Sequence, residues 1–274
     1  MLLNYIMKIL KIIIFLSLIA YFSILLFMYI FQRTFMYHPN VKNTDTTAIQ
    51  FDYKEVHINS ENNIKLKSWF KYTNSNNKTI LFFHGNAGEL GARVYKLNKF
   101  HDLDLNFLII SWRGFSGNKG KPTERGLYND AISAVSWLEE KGIKKKDIIL
   151  YGESLGTGVA VELATKNQYS GIILESPYTS MIDMGKRFYP FLPISILQKD
   201  KYSSLKKLNM IKSPILVLHG KADTLVPFYM GKKIYDAANE PKYYYFPERD
   251  NHMMIYDQNM LKILSNFVNE ISKQ

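Results

Sequence analysis

The chain of 274 residues contains no cysteine. That excludes disulfides, thiolate catalysis and every cysteine-ligated metal site. A cysteine-free chain suits either side of a membrane, so the compartment stays open. Histidine is scarce as well, with six in all, so one that falls beside a candidate nucleophile carries weight. Acidic residues are the minority charge, 24 against 35 basic ones, for a net +11. A nucleic-acid partner is nevertheless not expected. Lys71, Lys96, Lys121, Lys206 and Lys232 are scattered, and only Lys144 to Lys146 form a run, just before an apolar strand. Neither a basic stripe nor a binding motif is present. Weak attraction to an anionic membrane surface is a better use of that charge. Internal repeats are also missing.

Apolar residues are plentiful at 47%, against 22% charged. Twenty of the residues lie in an unbroken run from Ile12 to Phe31, "IIIFLSLIAYFSILLFMYIF". At about 1.5 Å per residue the run matches a hydrocarbon core of about 30 Å. A cleaved signal peptide would carry a shorter apolar stretch ending in small residues. This one ends in Tyr29, Phe31, Arg33 and Phe35, so residues 1–33 are expected to be an uncleaved anchor. Lys8, Lys11 and the amino terminus precede the span, while Arg33 and Lys42 follow it. The slight bias places the N-terminus inside and the remaining domain on the non-cytoplasmic side.

After the anchor the chain divides into a polar stem, 34–50, and a domain over 51–274. The domain's residues suffice for one full α/β core. "FDYKEVHI" and "IKLKSWFKY" alternate apolar and polar around "NSENN", as an antiparallel hairpin with one wet face does. The pattern then changes to the apolar runs "TILFFHG", "NFLIISWRG", "DIILYGES", "GIILESP" and "PILVLHG". Continuous apolar strands alternating with helices imply a mostly parallel, doubly wound sheet. Helices are expected near 89–100, over 123–142 with Thr123 as cap, and after Ser154, Val226 and His252. The stretch 178–205 is too long for a simple crossover and reads as a short inserted cap.

Ligands collect at the carboxyl ends of the strands in such a sheet, and four features fall there. Ser154 in "YGESLG" lies between a buried strand and a helix, with Gly152 and Gly156 relieving crowding in a tight turn. The pentapeptide alone is weak, arising by chance in about one chain in ten of this length. Asp223 follows the strand in "ILVLHGKAD", and His252 precedes the last helix in "PERDNHMM". A serine hydroxyl needs a base such as His252, and that imidazole needs Asp223 to fix its tautomer. His219 is read as structural, while His38, His57 and His101 lie in places unsuited to a triad. Asp250 is an alternative acid that would have to fold back onto His252. The fourth feature, "HGNAG", offers an oxyanion N–H from Asn86, or else Gly85, beside one from Leu155.

These motifs resemble the α/β-hydrolase superfamily from Leu81 onward. More narrowly, "FMYHP", "FFHGNAG", "SWRGFSGNKGKPTE", "YGESLGTGVA", "ESPYTS", "LHGKADTLVP" and "DNH" resemble its membrane-anchored, short-cap branch, which includes protein-depalmitoylating enzymes and bacterial members. Trp112 stands where that branch more often has tyrosine, a difference expected to affect packing. The resemblance implies Ser154, Asp223 and His252 as a triad. It also implies cleavage of esters or thioesters through an acyl-enzyme, without cofactor or metal, by a monomer acting on small-molecule, acylated or lipid-like substrates. A serine peptidase of the same fold is the alternative, although such enzymes usually carry a large access-restricting domain that this length does not accommodate. A catalytically silent membrane scaffold is the alternative from another class.

Overall fold

In a computed structural model, residues 1–39 and 46–273 are described. The part of the expected stem from 40 to 45, with Lys42, lies outside the described residues. In chain order the elements are α1 (Leu2–Met36), β1 (His38–Pro39), β2 (Lys54–Asn59), β3 (Lys65–Lys71), β4 (Thr79–Phe83), β5 (Ala87–Gly88), α2 (Val94–Asp102), β6 (Asn106–Ile110), α3 (Glu124–Glu140), β7 (Ile148–Glu153), α4 (Leu155–Ala164), β8 (Gly171–Glu175), α5 (Met181–Phe188), α6 (Ile194–Leu197), β9 (Ile215–Leu218), α7 (Phe228–Ala237), β10 (Lys242–Tyr245) and α8 (Gln258–Ser272).

Eight strands form one sheet in the order β10-β9-β8-β7-β4-β6-β3-β2. The hairpin β2–β3 pairs antiparallel and joins β6 the same way, while all other neighbours are parallel. The continuous apolar runs are explained by burial on both faces. Leu81 and Phe83 of β4 join Leu150 of β7 under α3, α4 and α7. Ile80 and Phe82 point the other way with Tyr151, under α2 and α8. Because strand side chains alternate, one apolar run feeds both layers. The chain order reverses between β4 and β7, which flank each other though β6 lies between them in sequence. That reversal opens the crevice where a site can form.

The helices begin where their caps predict. Thr123 accepts the Gly126 N–H at 2.9 Å to start α3, and Asp257 accepts the Met260 N–H at 2.9 Å to start α8. Between β8 and β9, the expected cap contains α5 and α6.

Two features differ from expectation. First, α1 runs on to Met36, and its last turns lie against the cap. The Arg33 guanidinium pairs with buried Asp200 at 2.8 and 3.0 Å, so it is not a free charge flanking the span. Second, Lys96, which reads as one scattered surface charge, is fully buried beneath the site.

Candidate active site

The site begins with a backbone constraint. Ser154 joins β7 to α4 at φ 49°, ψ −113°, a left-handed conformation that costs a non-glycine residue about 1–3 kcal/mol. Close chain approach holds it there. A Cβ on Gly156 would lie 2.0 Å from the Phe83 carbonyl oxygen, and one on Gly152 would lie 2.6 Å from that of Gly156. The two glycines are therefore steric necessities, and the turn lifts the Ser154 hydroxyl above the sheet edge.

Two loops bring partners to that hydroxyl. His252 Nε2 lies 3.1 Å from Ser154 Oγ, and His252 Nδ1 lies 2.9 Å from Asp223 Oδ2. Asp223 is buried, and its Oδ1 accepts the N–H groups of Leu225 and Val226 at 2.9 and 2.8 Å. Burial alone would raise its pKa. Hydrogen bonds from His219 and His252 outweigh that and hold the carboxyl below the ordinary carboxylate range. His219 is the structural histidine expected, donating from Nε2 toward the Val226 carbonyl at 2.9 Å with Asp223 at 3.3 Å. Asp250 turns away from His252. Its carboxylate accepts the Ile255 N–H at 2.9 Å and its carbonyl accepts the Ala222 N–H at 3.1 Å.

Some positioning residues escape sequence reasoning. Asn251 Oδ1 accepts the N–H groups of His252 at 2.7 Å and Thr224 at 3.1 Å, stapling the histidine loop to the aspartate loop. Ser176, at φ 50°, donates its hydroxyl to the His252 carbonyl at 2.9 Å. The "DNH" and "ESPYTS" stretches contain both residues, but nothing in their spacing announces a cross-loop bond.

The "HGNAG" loop faces the hydroxyl from β4. The Gly85 N–H is committed to Glu153 Oε1 at 3.1 Å, whereas the Asn86 N–H has no acceptor among the described residues. This separates the two candidates left open by sequence. The Leu155 N–H opens α4, where the first turn has no intrahelical acceptor and the helix dipole favours negative charge. Asn86 is held from behind. Its side-chain amide donates to the Met36 carbonyl, and its own carbonyl accepts the His38 N–H at 3.2 Å. Trp112 does more than pack, since its indole N–H donates to the His84 carbonyl at 3.0 Å.

Beneath the turn lies a buried cluster of balanced charge. Glu153 Oε1 accepts from Arg93 at 2.5 and 3.2 Å, while Lys96 donates to Glu153 and to both oxygens of Glu175 at 2.8 and 2.7 Å. Tyr151 and Tyr256 complete it by donating to Glu175 at 2.6 and 2.8 Å. Burial would raise the Glu153 pKa, but Arg93 and Lys96 push it well below the usual range. Arg93 also donates to the Ala87 carbonyl at 2.6 Å, so the cluster ties the Ser154 turn to the "HGNAG" loop.

His84, fully buried, is held neutral. Burial, with Arg93 nearby, lowers its pKa from 6.5 to about 3. Its Nδ1 donates to the Gly85 carbonyl at 2.7 Å, leaving Nε2 to face the Trp112 N–H at 3.4 Å. An unfolded chain protonates this imidazole below about pH 6.5, whereas the folded chain does so only near pH 3. The contribution is therefore complete above pH 6.5 and is lost as pH falls toward 3. At about 1.4 kcal/mol per pH unit, the total is of order 5 kcal/mol. Urea unfolding between pH 7 and pH 4 is expected to show this loss, and His84→Gln is expected to flatten the slope by about one proton. An unchanged slope in that variant would place the titration elsewhere.

A cavity of about 340 Å³ opens beside Ser154. Its walls are mainly apolar, including Met184, Phe188 and Leu192 from the cap and Met28, Phe35 and Met36 from α1. Among the described residues, no group of three or more His, Asp or Glu side chains is arranged to hold a metal ion. The arrangement supplies a hydroxyl, a base within reach of its proton and an anion beside that base, with Asn86 and Leu155 on the wall of the same cavity.

Comparison with known proteins accords with this geometry. Residues 115–269 match the prolyl oligopeptidase family. An uncharacterised protein of Mycobacterium tuberculosis is 32% identical over 226 residues, covering 81% of this chain and 80% of that one. The lysophosphatidylserine lipase ABHD12 of Danio rerio is 34% identical over 195 residues, covering 64% of this chain and 51% of that protein. Among solved structures, the Pyrococcus furiosus esterase Pf2001 superposes with a TM-score of 0.69 at 22% identity, over 85% of this chain and 98% of the esterase, a likeness of fold. The family match, the doubly wound sheet and the elbow between β7 and α4 converge: the chain belongs to the prolyl oligopeptidase family, within the α/β-hydrolase superfamily.

Proposed function

We propose that the protein is a membrane-tethered serine hydrolase that cleaves carboxylic ester or thioester bonds. Ser154 attacks the acyl carbonyl as His252 Nε2 takes its proton. Asp223 holds the imidazole in the Nδ1–H tautomer and stabilises the imidazolium. The oxyanion is held by the N–H groups of Leu155 and Asn86. His252 returns the proton to the leaving oxygen or sulfur, and water then attacks the acyl-enzyme by the same route. The observation that carries this reading is the continuous line Asp223–His252–Ser154, with contacts of 2.9 and 3.1 Å.

An ester or thioester substrate is favoured over a peptide by the apolar walls beside Ser154, which suit an acyl chain. The family name alone does not select the bond, because one fold hosts many chemistries. The α1 helix is a candidate membrane anchor and would hold the site near a bilayer.

The test is labelling of the detergent-solubilised full chain by a fluorophosphonate. Covalent labelling at Ser154, abolished in Ser154→Ala, is the expected outcome. A folded protein that stays unlabelled would sink the serine-hydrolase reading. Turnover of an aminoacyl-nitroanilide without turnover of p-nitrophenyl esters or acyl-thioesters would instead select the peptidase.

A further inference from the structure

We propose that the anchor helix is itself part of the binding site: its last turns wall one side of an acyl pocket, and Met28 sets the length of chain the site accepts. The inference rests on Ser154 being the acylated nucleophile.

The helix is exposed along most of its length, with one exception. Leu25, Met28, Gln32 and Met36 are half-buried. Steps of three and four residues put all four on one face, so that face is seated on the rest of the protein. Polar contacts fix the seating. Gln32 donates to the Leu197 carbonyl at 3.0 Å and accepts the Lys199 N–H at 2.8 Å. Arg33 pairs with Asp200, and Tyr37 hydroxyl bonds to Asp200 at 3.2 Å. A glutamine with both amide atoms engaged is a docking residue, whereas a plain tether needs none.

The seated face borders the cavity beside Ser154 and lies across from the cap residues Met184 and Phe188. Its direction follows from the contacts. Met36 accepts from the Asn86 side chain, so that end lies at the oxyanion loop. Met28 is eight residues earlier, about 12 Å further along the axis. An extended chain advances about 1.2 Å per bond, taking three backbone bonds per ~3.5 Å residue, so the pocket holds about ten carbons. A volume of about 340 Å³ is near the lower end for small-molecule sites and fits one chain better than two. Its far end, at Met28, lies inside the helix's apolar span, on the side toward Tyr21, whose hydroxyl donates to the carbonyl of exposed Phe191 at 3.3 Å. The ligand is therefore a single acyl chain of about ten carbons, carried as an ester or thioester and entering from the lipid side.

Substitution at Met28 on the full chain in detergent, read as kcat/KM across p-nitrophenyl esters from butyrate to hexadecanoate, tests this. Each buried methylene is worth about a factor of four in affinity for the transition state, or about 0.8 kcal/mol. Wild type should rise with chain length and level off near ten carbons. Met28→Trp should lower the decanoate value at least tenfold and leave butyrate within threefold. Met28→Ala should move the plateau to longer chains. Leu26→Trp, about 160° round the helix at 3.6 residues per turn, should change neither. A labelled, active enzyme whose profile ignores Met28, or that loses butyrate and decanoate activity equally, overturns this inference alone. A wild-type chain that is neither labelled nor active on any ester overturns the hydrolase reading and this inference with it.

Discussion

Replacing His252 with alanine is expected to lower kcat on a p-nitrophenyl ester by about 10⁴- to 10⁶-fold, the scale on which loss of a triad base acts. The reason is protonic. A serine hydroxyl is a poor nucleophile near neutral pH, and in the proposed mechanism His252 Nε2, 3.1 Å away, takes its proton. The leaving group would lose its proton donor too, so acylation and deacylation both suffer. Asp223→Asn should fall close behind, because its Oδ2 contact at 2.9 Å is what fixes the imidazole tautomer. Asp250→Ala supplies the discriminating comparison. Asp250 is two positions from His252 in sequence, but its carboxylate is occupied by the Ile255 N–H. Its removal should cost less than about tenfold on this scale. Equal damage from Asp223→Asn and Asp250→Ala would reverse the choice of acid. Circular dichroism on each variant separates lost chemistry from lost fold.

What could be read from sequence divides along a physical line. The strands were legible because burial on both faces forces an unbroken apolar run, as in "TILFF" and "IILYGE". The Ser154 turn was legible because its glycines answer a local demand, the approach of Phe83 and Thr157 backbone. Asp223 and His252 could be placed by chain order at strand ends. The charged cluster could not, because nothing local marks it. Lys96 meets Glu153 and Glu175 from 57 and 79 positions away, and a lone lysine in a helix reads as solvated. The seated face of α1 was hidden for the opposite reason. In a run that is apolar all round, every face looks equally fit for lipid, and the polar residues that seat the helix, Gln32 and Arg33, lie just past its end.

Removing the positive charge beneath the site should have the largest effect on stability. Lys96→Met is expected to destabilise the fold by about 3–5 kcal/mol, the usual result of deleting one partner of a buried ion pair. For a domain of this size, that corresponds to a fall in Tm of about 6–20 °C. The wild-type cluster sets Arg93 and Lys96 against Glu153 and Glu175, with Lys96 bonded to both carboxylates. Without Lys96 the cluster holds one uncompensated negative charge where water cannot reach it. Methionine fills similar volume, so a cavity is not the cause. Two further measurements distinguish charge from packing. Neutralising the surplus with Lys96→Met/Glu175→Gln should recover a substantial part of the loss, a non-additivity expected of directly bonded groups. Lowering the pH should act with opposite signs on the two proteins. Wild-type Glu153 is held ionised, so its contribution is present above the ordinary carboxylate range and is lost as pH falls. The variant's surplus carboxylate gains by taking up a proton. The gap in Tm between wild type and Lys96→Met should therefore be smaller at pH 5 than at pH 8. A gap independent of pH, with no rescue by Glu175→Gln, would mean that Lys96 contributes through packing alone. Because Arg93 and Glu153 also grip the oxyanion loop at Ala87 and Gly85, Lys96→Met protein that remains folded should turn over more slowly, with kcat affected more than KM.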